Sequence, residues 1–360
     1  MTTILHLIPT LEGGGAERQL SLLAAEQVRR GYDVHIALRR GGVHAQSLLD
    51  GGARLHRLGD RPSVDPRQYF AIVGVVSQLR PDVVQTWLPQ MDVIGGLAAL
   101  QSRTAWVISE RTSSKFYADV PYFAWVRRQI GRYSSAVVAN SEAGAAYWRL
   151  TGGLPKCVAI IRNALDLVGI RTAPAKSRQG LSGDVVLVVG RFSPEKALEI
   201  VVQAIGNLEG VDPLTVVMIG EGPVRGAIEE QIKTASLCSR ISIQPYQSDW
   251  WSWLKIADCL VAMSRFEGNP NVVLEAMAAG CPVILSDISA HREIADSSSA
   301  LFVPVDDVNA LSNGIAELLL NKGAASERAR RAQSNMDRLT VQAMADAYDA
   351  VYSDALNGKK

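Results

Sequence analysis

The chain has 360 residues, 48% of them apolar and 20% charged, with a formal net charge of +1. That balance excludes a disordered chain and argues against bulk nucleic-acid binding, and the length exceeds one ordinary core, so two domains are expected. Cys157, Cys238, Cys259 and Cys281 are widely spaced with no CxxC pair. Reduced thiols in a cytoplasmic protein are expected, and neither a disulfide framework nor a zinc site.

The first segment, MTTILHLIPTLEGGG, lacks a basic leader and a full apolar span. It reads as a first strand and not as a signal peptide, and no run approaches the roughly 20 apolar residues of a membrane helix. Short apolar runs then alternate with helical patterns: ILHLI, DVHIAL, ARLHRL, DVVQT, AWVIS, AVVAN and CVAII. Between them lie stretches such as AERQLSLLAAEQVRR, where Leu20, Leu23 and Ala24 share one face. Continuous apolar strands separated by helices predict parallel sheets covered on both sides. Residues 166–184 break the rhythm with polar, Gly and Pro residues and read as an interdomain connection. A second set follows: VVLVVG, LTVVMIG, RISIQP, CLVAM, CPVIL and ALFVP.

The expected fold class is therefore α/β, two Rossmann-like domains whose parallel sheets face each other across a cleft. The first covers residues 1–165 and the second 185–338. Residues 339–360 read as helices that either finish the second domain or cross back to the first. Residues 1–165 carry 19 Lys and Arg against 12 Asp and Glu, and the remainder 18 against 24. The basic half suits an anionic partner or an anionic membrane, although halves of this size also differ by a few charges without functional cause.

Three loops lie where parallel sheets bind ligands, beyond the carboxyl ends of strands. Gly13, Gly14 and Gly15 open a helix after the first strand and present backbone N–H groups suited to phosphate, or else form a flexible turn. They match neither GxGxxG nor a Walker loop. In VVLVVGRFSPEK, Arg191 and Lys196 sit beyond a buried strand, placed to offset a diphosphate; the alternative pairs Lys196 with Glu199. In EGNPNVVLEAMAAG, Asn269 reads as the N-cap, with the helix running from Pro270 to Ala279 and stopped by Gly280. Asn271 and Glu275 share a face of it. Glu267 suits the helix start, whereas Glu275 among apolar neighbours needs a partner, from either an internal cap network or a ligand.

These elements in order resemble the retaining family 4 glycosyltransferases of GT-B fold, over nearly the whole chain. Glu267 and Glu275 match that family's pair of glutamates, followed by Ala276, Ala278, Gly280, Pro282 and Val283. VGRFSPEK and GGGAE match its strand–Arg–Lys and glycine-loop elements, and IRNALD its pre-linker, with Ala164 where glycine is usual. The resemblance implies that Arg191 and Lys196 hold the diphosphate of a nucleotide sugar, UDP-linked by family habit, helped by N–H groups near Gly14 and Gly15. Glu275 would accept from the ribose hydroxyls. Glu267, with Gly268, Asn269, Pro270 and Asn271 nearby, would orient the transferred sugar. The nucleotide-diphosphate sugar is a co-substrate, and no cofactor or metal is expected; no DxD occurs in the chain.

Ser109, Glu110 and Arg111 stand where many family members have a histidine. They resemble a subgroup that includes transferases of N-acetylhexosamines or hexoses in lipid-linked glycan and polysaccharide assembly. Glu17, Glu110, Arg111 and Lys115 are expected on the acceptor side, Arg111 toward an acceptor phosphate or the donor sugar, or in a salt bridge to Glu110. The acceptor implied is a glycan on polyprenyl diphosphate, at the inner face of the cell membrane. KFYADVPYFAWVRRQIGRY interleaves Lys115, Arg127, Arg128 and Arg132 with Phe116, Tyr117, Tyr122, Phe123, Trp125 and Tyr133, as suits peripheral contact with anionic lipid. WLPQMDVIGGLAAL, from Trp87, is expected to end in the same cleft. The WWSW run, Trp250 to Trp253, is assigned to core packing, with stacking on the donor base as the alternative. Two other classes fit the architecture: a non-hydrolysing nucleotide-sugar epimerase, and a non-catalytic two-domain binding protein.

Overall fold

Most of the apolar runs become strands buried on both faces, while edge strands such as Arg54–Arg57 and Val158–Ile160 are partly exposed. The computed structural model describes residues 1–61, 65–112, 117, 120–150 and 155–358. It divides into two units, one of Met1–Ala164 with Leu339–Lys360 and one of Leu165–Arg338.

The first unit holds seven strands, β1 (Thr3–Ile8), β2 (Asp33–Leu38), β3 (Arg54–Arg57), β4 (Val83–Trp87), β5 (Ala105–Glu110), β6 (Ala136–Ala139) and β7 (Val158–Ile160). All pair in parallel, in the order β3-β2-β1-β4-β5-β6-β7. Alternate side chains of β1 go to opposite layers. Ile4 and Ile8 pack with Leu20 and Leu23 of helix Gly15–Arg29 and with Met344 and Tyr348 of the C-terminal helix. Leu5 and Leu7 pack with Ile72, Val76 and Met91 from helices Pro66–Leu79 and Pro89–Gln101.

The C-terminal helix, Val341–Asn357, is fixed to this sheet by a buried polar chain. Trp87 Nε1 donates to His6 Nδ1 at 3.1 Å, so His6 Nε2 carries the proton it shares with Gln27 Oε1 at 2.8 Å. Gln27 donates to the Tyr352 hydroxyl at 3.1 Å, Tyr352 donates to Gln85, and Gln85 donates to Ser109 at 2.6 Å. Burial lowers the pKa of His6 to about 4, against the Gln27 contact, so the ring stays neutral. Each residue in this chain of bonds thus has a partner, and the terminal helix is keyed to one register.

The second unit holds β8 (Asp184–Val189), β9 (Leu214–Ile219), β10 (Ile241–Gln244), β11 (Cys259–Ala262), β12 (Val283–Ser286) and β13 (Leu301–Val303). Their order is β10-β9-β8-β11-β12-β13, again all parallel. Residues 166–184, read as a connection, contain a short helix, Leu167–Thr172, whose cap Asp166 accepts from the Gly169 amide at 2.9 Å. Lys255 Nζ donates to the Arg171 carbonyl at 3.0 Å, so this helix is tied to its own unit. Among the described residues no helix is long and apolar enough to cross a membrane.

Close packing sets a sharp stability test. A Cβ on Gly96 would lie 2.3 Å from Trp106, whose indole is buried and donates to Thr86 at 3.1 Å, whereas a Cβ on Gly74 would meet nothing. Gly96→Ala is expected to cost about 1–3 kcal/mol and Gly74→Ala to stabilise by up to about 1 kcal/mol. Thermal melts of the two variants check this, and equal melting temperatures would contradict it.

Candidate active site

In the second unit the site is built at the ends of β8 and β11. The loops after β8 and β9 are in backbone contact: a Cβ on Gly220 (φ +155°) would sit 1.9 Å from the Gly190 carbonyl oxygen. Only glycine tolerates that approach. The chain after β8 then makes a single 3₁₀ turn, Pro194–Lys196, ended by Ala197 in the left-handed region at φ 47°. Arg265 holds this turn against the loop after β11. It donates to the Pro194 carbonyl at 2.6 Å and pairs with Glu199 at 2.5 Å and Asp306 at 2.9 Å.

The turn brings Lys196 onto Glu267, 71 residues away, in a charged hydrogen bond. Ser264 Oγ donates to the same carboxylate oxygen at 2.7 Å. Burial pushes the Glu267 carboxyl up, but the Lys196 charge and the two donors outweigh it and hold the pKa below the ordinary value. Lys196 therefore pairs with Glu267 and not with Glu199, which Arg265 takes. Arg191 is exposed in the segment that leads from β8 into this turn, and among the described residues no carboxylate pairs with it.

Helix Asn271–Ala278 starts one residue later than expected, with Pro270 and not Asn269 at the cap and no side-chain cap bond. Asn269 and Pro270 are buried, and Gly268 and Asn271 half-buried, beside Glu267. Glu275 is 2% exposed, and its Oε2 accepts from the Trp251 indole at 2.8 Å. Behind Glu267 lies His291, fully buried, its Nδ1 bonded to the Ser286 carbonyl at 2.8 Å. Ser286 in turn donates to the Ser264 carbonyl at 2.5 Å.

In the first unit the glycine loop is already occupied. Glu17 accepts from the amides of Gly13, at 2.8 Å, and Gly14, and from the Thr10 hydroxyl. The Gly14 amide expected near a phosphate is thus bonded to Glu17, and Glu17, expected on the acceptor side, is buried as a cap of its own helix. Gly15 begins the helix itself. Glu110, also expected on the acceptor side, is turned inward. It is 1% exposed and accepts from Arg127 at 2.7 Å, Trp148 at 3.0 Å, Tyr117 at 3.0 Å and the Thr112 amide at 3.0 Å. Arg127 also pairs with Asp92 at 2.7 Å. Burial opposes the Arg127 charge, but Glu110 and Asp92 more than offset it and the guanidinium stays ionised.

Arg111 consequently has no salt bridge to Glu110. It lies over the Trp87 ring, 4.7 Å from the centroid, and donates to the neutral oxygens of Asn163, at 2.8 Å, and Tyr348. No carboxylate among the described residues neutralises it, which leaves a half-buried cation suited to an anion. Lys115 and Phe116 lie outside the described residues. In the basic and aromatic segment, Tyr117 and Arg127 turn inward as part of the Glu110 cluster, while Tyr122, Trp125, Arg132 and Tyr133 are exposed. Ala164 does not have positive φ, and Gln19 brackets it by accepting from its amide at 2.8 Å and donating to its carbonyl at 2.9 Å.

Two family models match this chain: Glycosyltransferase Family 4 over residues 13–168, and Glycosyl transferases group 1 over residues 170–336. The chain belongs to the family 4 glycosyltransferases. Among its relatives is the N-acetylgalactosamine-N,N'-diacetylbacillosaminyl-diphospho-undecaprenol 4-alpha-N-acetylgalactosaminyltransferase of Campylobacter jejuni, 27% identical over 52% of this chain and 50% of that protein. A D-inositol 3-phosphate glycosyltransferase of Streptomyces bingchenggensis is 26% identical, and the chain spans 55% of it. The chain thus spans about half the length of these two relatives. The lipopolysaccharide core biosynthesis glycosyltransferase LpsE of Rhizobium meliloti is 23% identical over 93% of this chain and 94% of that one. Of solved structures, Anabaena HepE in complex with UDP and glucose superposes with a TM-score of 0.89 at 21% identity, covering 98% of this chain and all of HepE. That likeness shows the GT-B fold of two parallel-sheet domains.

Sequence reasoning missed three parts of this candidate site. Arg265 and His291 carried no motif, and Trp251 was not separable from its neighbours in the WWSW run. Only the burial of Glu275 hinted that a donor had to be near it.

The Lys196–Glu267 pair has a pH signature. In Lys196→Met, burial is left to dominate and the carboxyl is expected to rise above its ordinary range. The wild-type carboxylate contributes stability above its unfolded pKa and loses it as pH falls through the lowered folded value. The variant instead loses stability as pH rises past the unfolded value. The gap between their melting temperatures should therefore widen from about pH 3 to about pH 6. A gap independent of pH would mean that Glu267 does not depend on Lys196.

Proposed function

We propose that this glycosyltransferase moves a hexose or N-acetylhexosamine from a UDP-sugar to a glycan on polyprenyl diphosphate, with retention at the anomeric carbon. The observation that carries the reading is Lys196 paired to Glu267 in the loop after β8 that also holds Arg191. The two cations are placed for a diphosphate, and the carboxylate beside them for sugar hydroxyls. Arg191 and Lys196 would stabilise the charge that develops on the leaving diphosphate, the role that a metal ion plays elsewhere. Glu267, Gly268, Asn269, Pro270 and Asn271 would hold the sugar, and Glu275 the ribose. The second unit is then the donor domain and the first the acceptor domain.

The two glutamates are poor candidates for a glycosidase-like acid and base. A general acid needs a raised pKa, whereas Glu267 is held ionised by Lys196. Catalysis in this account rests on positioning and on leaving-group electrostatics, and the diphosphate oxygen takes the acceptor proton during front-face attack.

For the acceptor, Arg111 on the Trp87 ring is the group suited to a diphosphate, with Lys115 nearby in sequence. The name of the Campylobacter relative carries a diphospho-undecaprenol acceptor, and the Anabaena neighbour was crystallised with UDP and glucose, which supports lipid and nucleotide respectively. Exposed Tyr122, Trp125, Arg132 and Tyr133 fit peripheral attachment to the anionic inner face of the cell membrane.

A donor panel tests the proposal: UDP-, GDP- and ADP-sugars, with and without polyprenyl-diphosphate saccharide in anionic vesicles. Acceptor-dependent release of nucleoside diphosphate is expected, falling roughly 100-fold or more in Glu267→Ala and Lys196→Ala. Epimerised sugar nucleotide without acceptor, or no donor binding at all, would overturn it.

A further inference from the structure

The WWSW run divides its three indoles between two tasks. Trp250 and Trp253 are buried in the second unit, Trp253 with its N–H on Gln247 at 3.1 Å and its ring under Lys176, 5.6 Å from the centroid. Trp251 is half-buried and opens the four-residue helix Trp251–Leu254. Its ring lies against Gly169, where an added Cβ would come within 3.0 Å of Cζ3. Its Nε1 donates to Glu275 Oε2 at 2.8 Å.

A buried carboxylate has two oxygens and rotates about its last bond unless a donor fixes it. An indole N–H is a donor only, it cannot change protonation, and its plane is set here by packing on Gly169. It therefore fixes the plane of the Glu275 carboxylate without neutralising its charge. A lysine in the same place would fix and neutralise together, and would compete for the carboxylate with an incoming hydroxyl.

We propose that Trp251 is a positioning residue for nucleotide recognition: by holding Oε2 it sets Glu275 in the orientation that accepts from the ribose hydroxyls of the donor, and so selects ribonucleotides. The proposal rests on the donor reading of Glu275 given above and adds to it the residue that aligns the carboxylate. Stacking of Trp251 on the base is not needed, because the indole edge is already committed to Glu275.

The test measures binding of UDP, or of GDP or ADP if the donor panel selects it, against its 2′-deoxy form by calorimetry. Wild type is expected to prefer the ribonucleotide. Trp251→Phe removes the N–H and keeps a ring on Gly169, and should weaken ribonucleotide binding roughly tenfold while leaving the deoxy form unchanged. Glu275→Ala should abolish the preference. If Glu275→Ala keeps the preference, or the wild type has none or binds no nucleotide, the ribose reading of Glu275 falls and this inference with it. If Glu275→Ala loses the preference and Trp251→Phe retains it, only the role of Trp251 is overturned. Equal weakening of both nucleotides in Trp251→Phe would show a packing role alone and would likewise overturn it.

Discussion

The site in the second unit depends on one ion pair. Lys196 and Glu267 come from loops after β8 and β11, and each is partly withdrawn from water. Neither charge would be tolerable there without the other, or without a ligand to replace it. A diphosphate sugar supplies both replacements at once, phosphate oxygens for the ammonium and hydroxyls for the carboxylate. In the proposed function the pair is a resting arrangement whose two halves match the two ends of the reacting bond. Arg265 serves it by pressing these two loops together, and the glycines at 190 and 220 by letting the loop after β9 close on the loop after β8.

In the first unit Arg111 stands beside a buried charge cluster without a carboxylate partner among the described residues. The cluster of Glu110, Asp92 and Arg127 pairs its charges internally, with Trp148 and Tyr117 completing the hydrogen bonds. Arg111, the next residue after Glu110, is turned onto Trp87 and, among the described residues, held by neutral groups. The terminal helix takes part through Tyr348, so a segment far away in sequence helps define where that charge sits.

The fold was legible because strands of a parallel sheet are apolar along their whole length, and each of the runs read in the sequence became a strand. Glu267, Glu275, Arg191 and Lys196 were legible as a group from their placement after such strands. What they touch was not. Lys196 has acids nearby at Glu195 and Glu199, and its choice of Glu267 follows from the left-handed residue at Ala197 and from Arg265 occupying Glu199. Glu110 and Arg127 looked like surface charges because acid and base reside in different segments. In retrospect Ala124, Arg127 and Gly131 form one buried stripe at helical spacing, which is the signal that separates Arg127 from exposed Arg132. The Gly14 amide read as open to phosphate because nothing in GGGAE states that Glu17 folds back onto its own loop.

The central claim is that the donor splits the Lys196–Glu267 pair and takes one partner at each of its ends. A structure determined with an intact nucleoside-diphosphate sugar tests it most directly. The account predicts Lys196 Nζ on a diphosphate oxygen, and Glu267 accepting from a hydroxyl of the sugar. Lys196 still bonded to Glu267, with the diphosphate held by other groups, would contradict it.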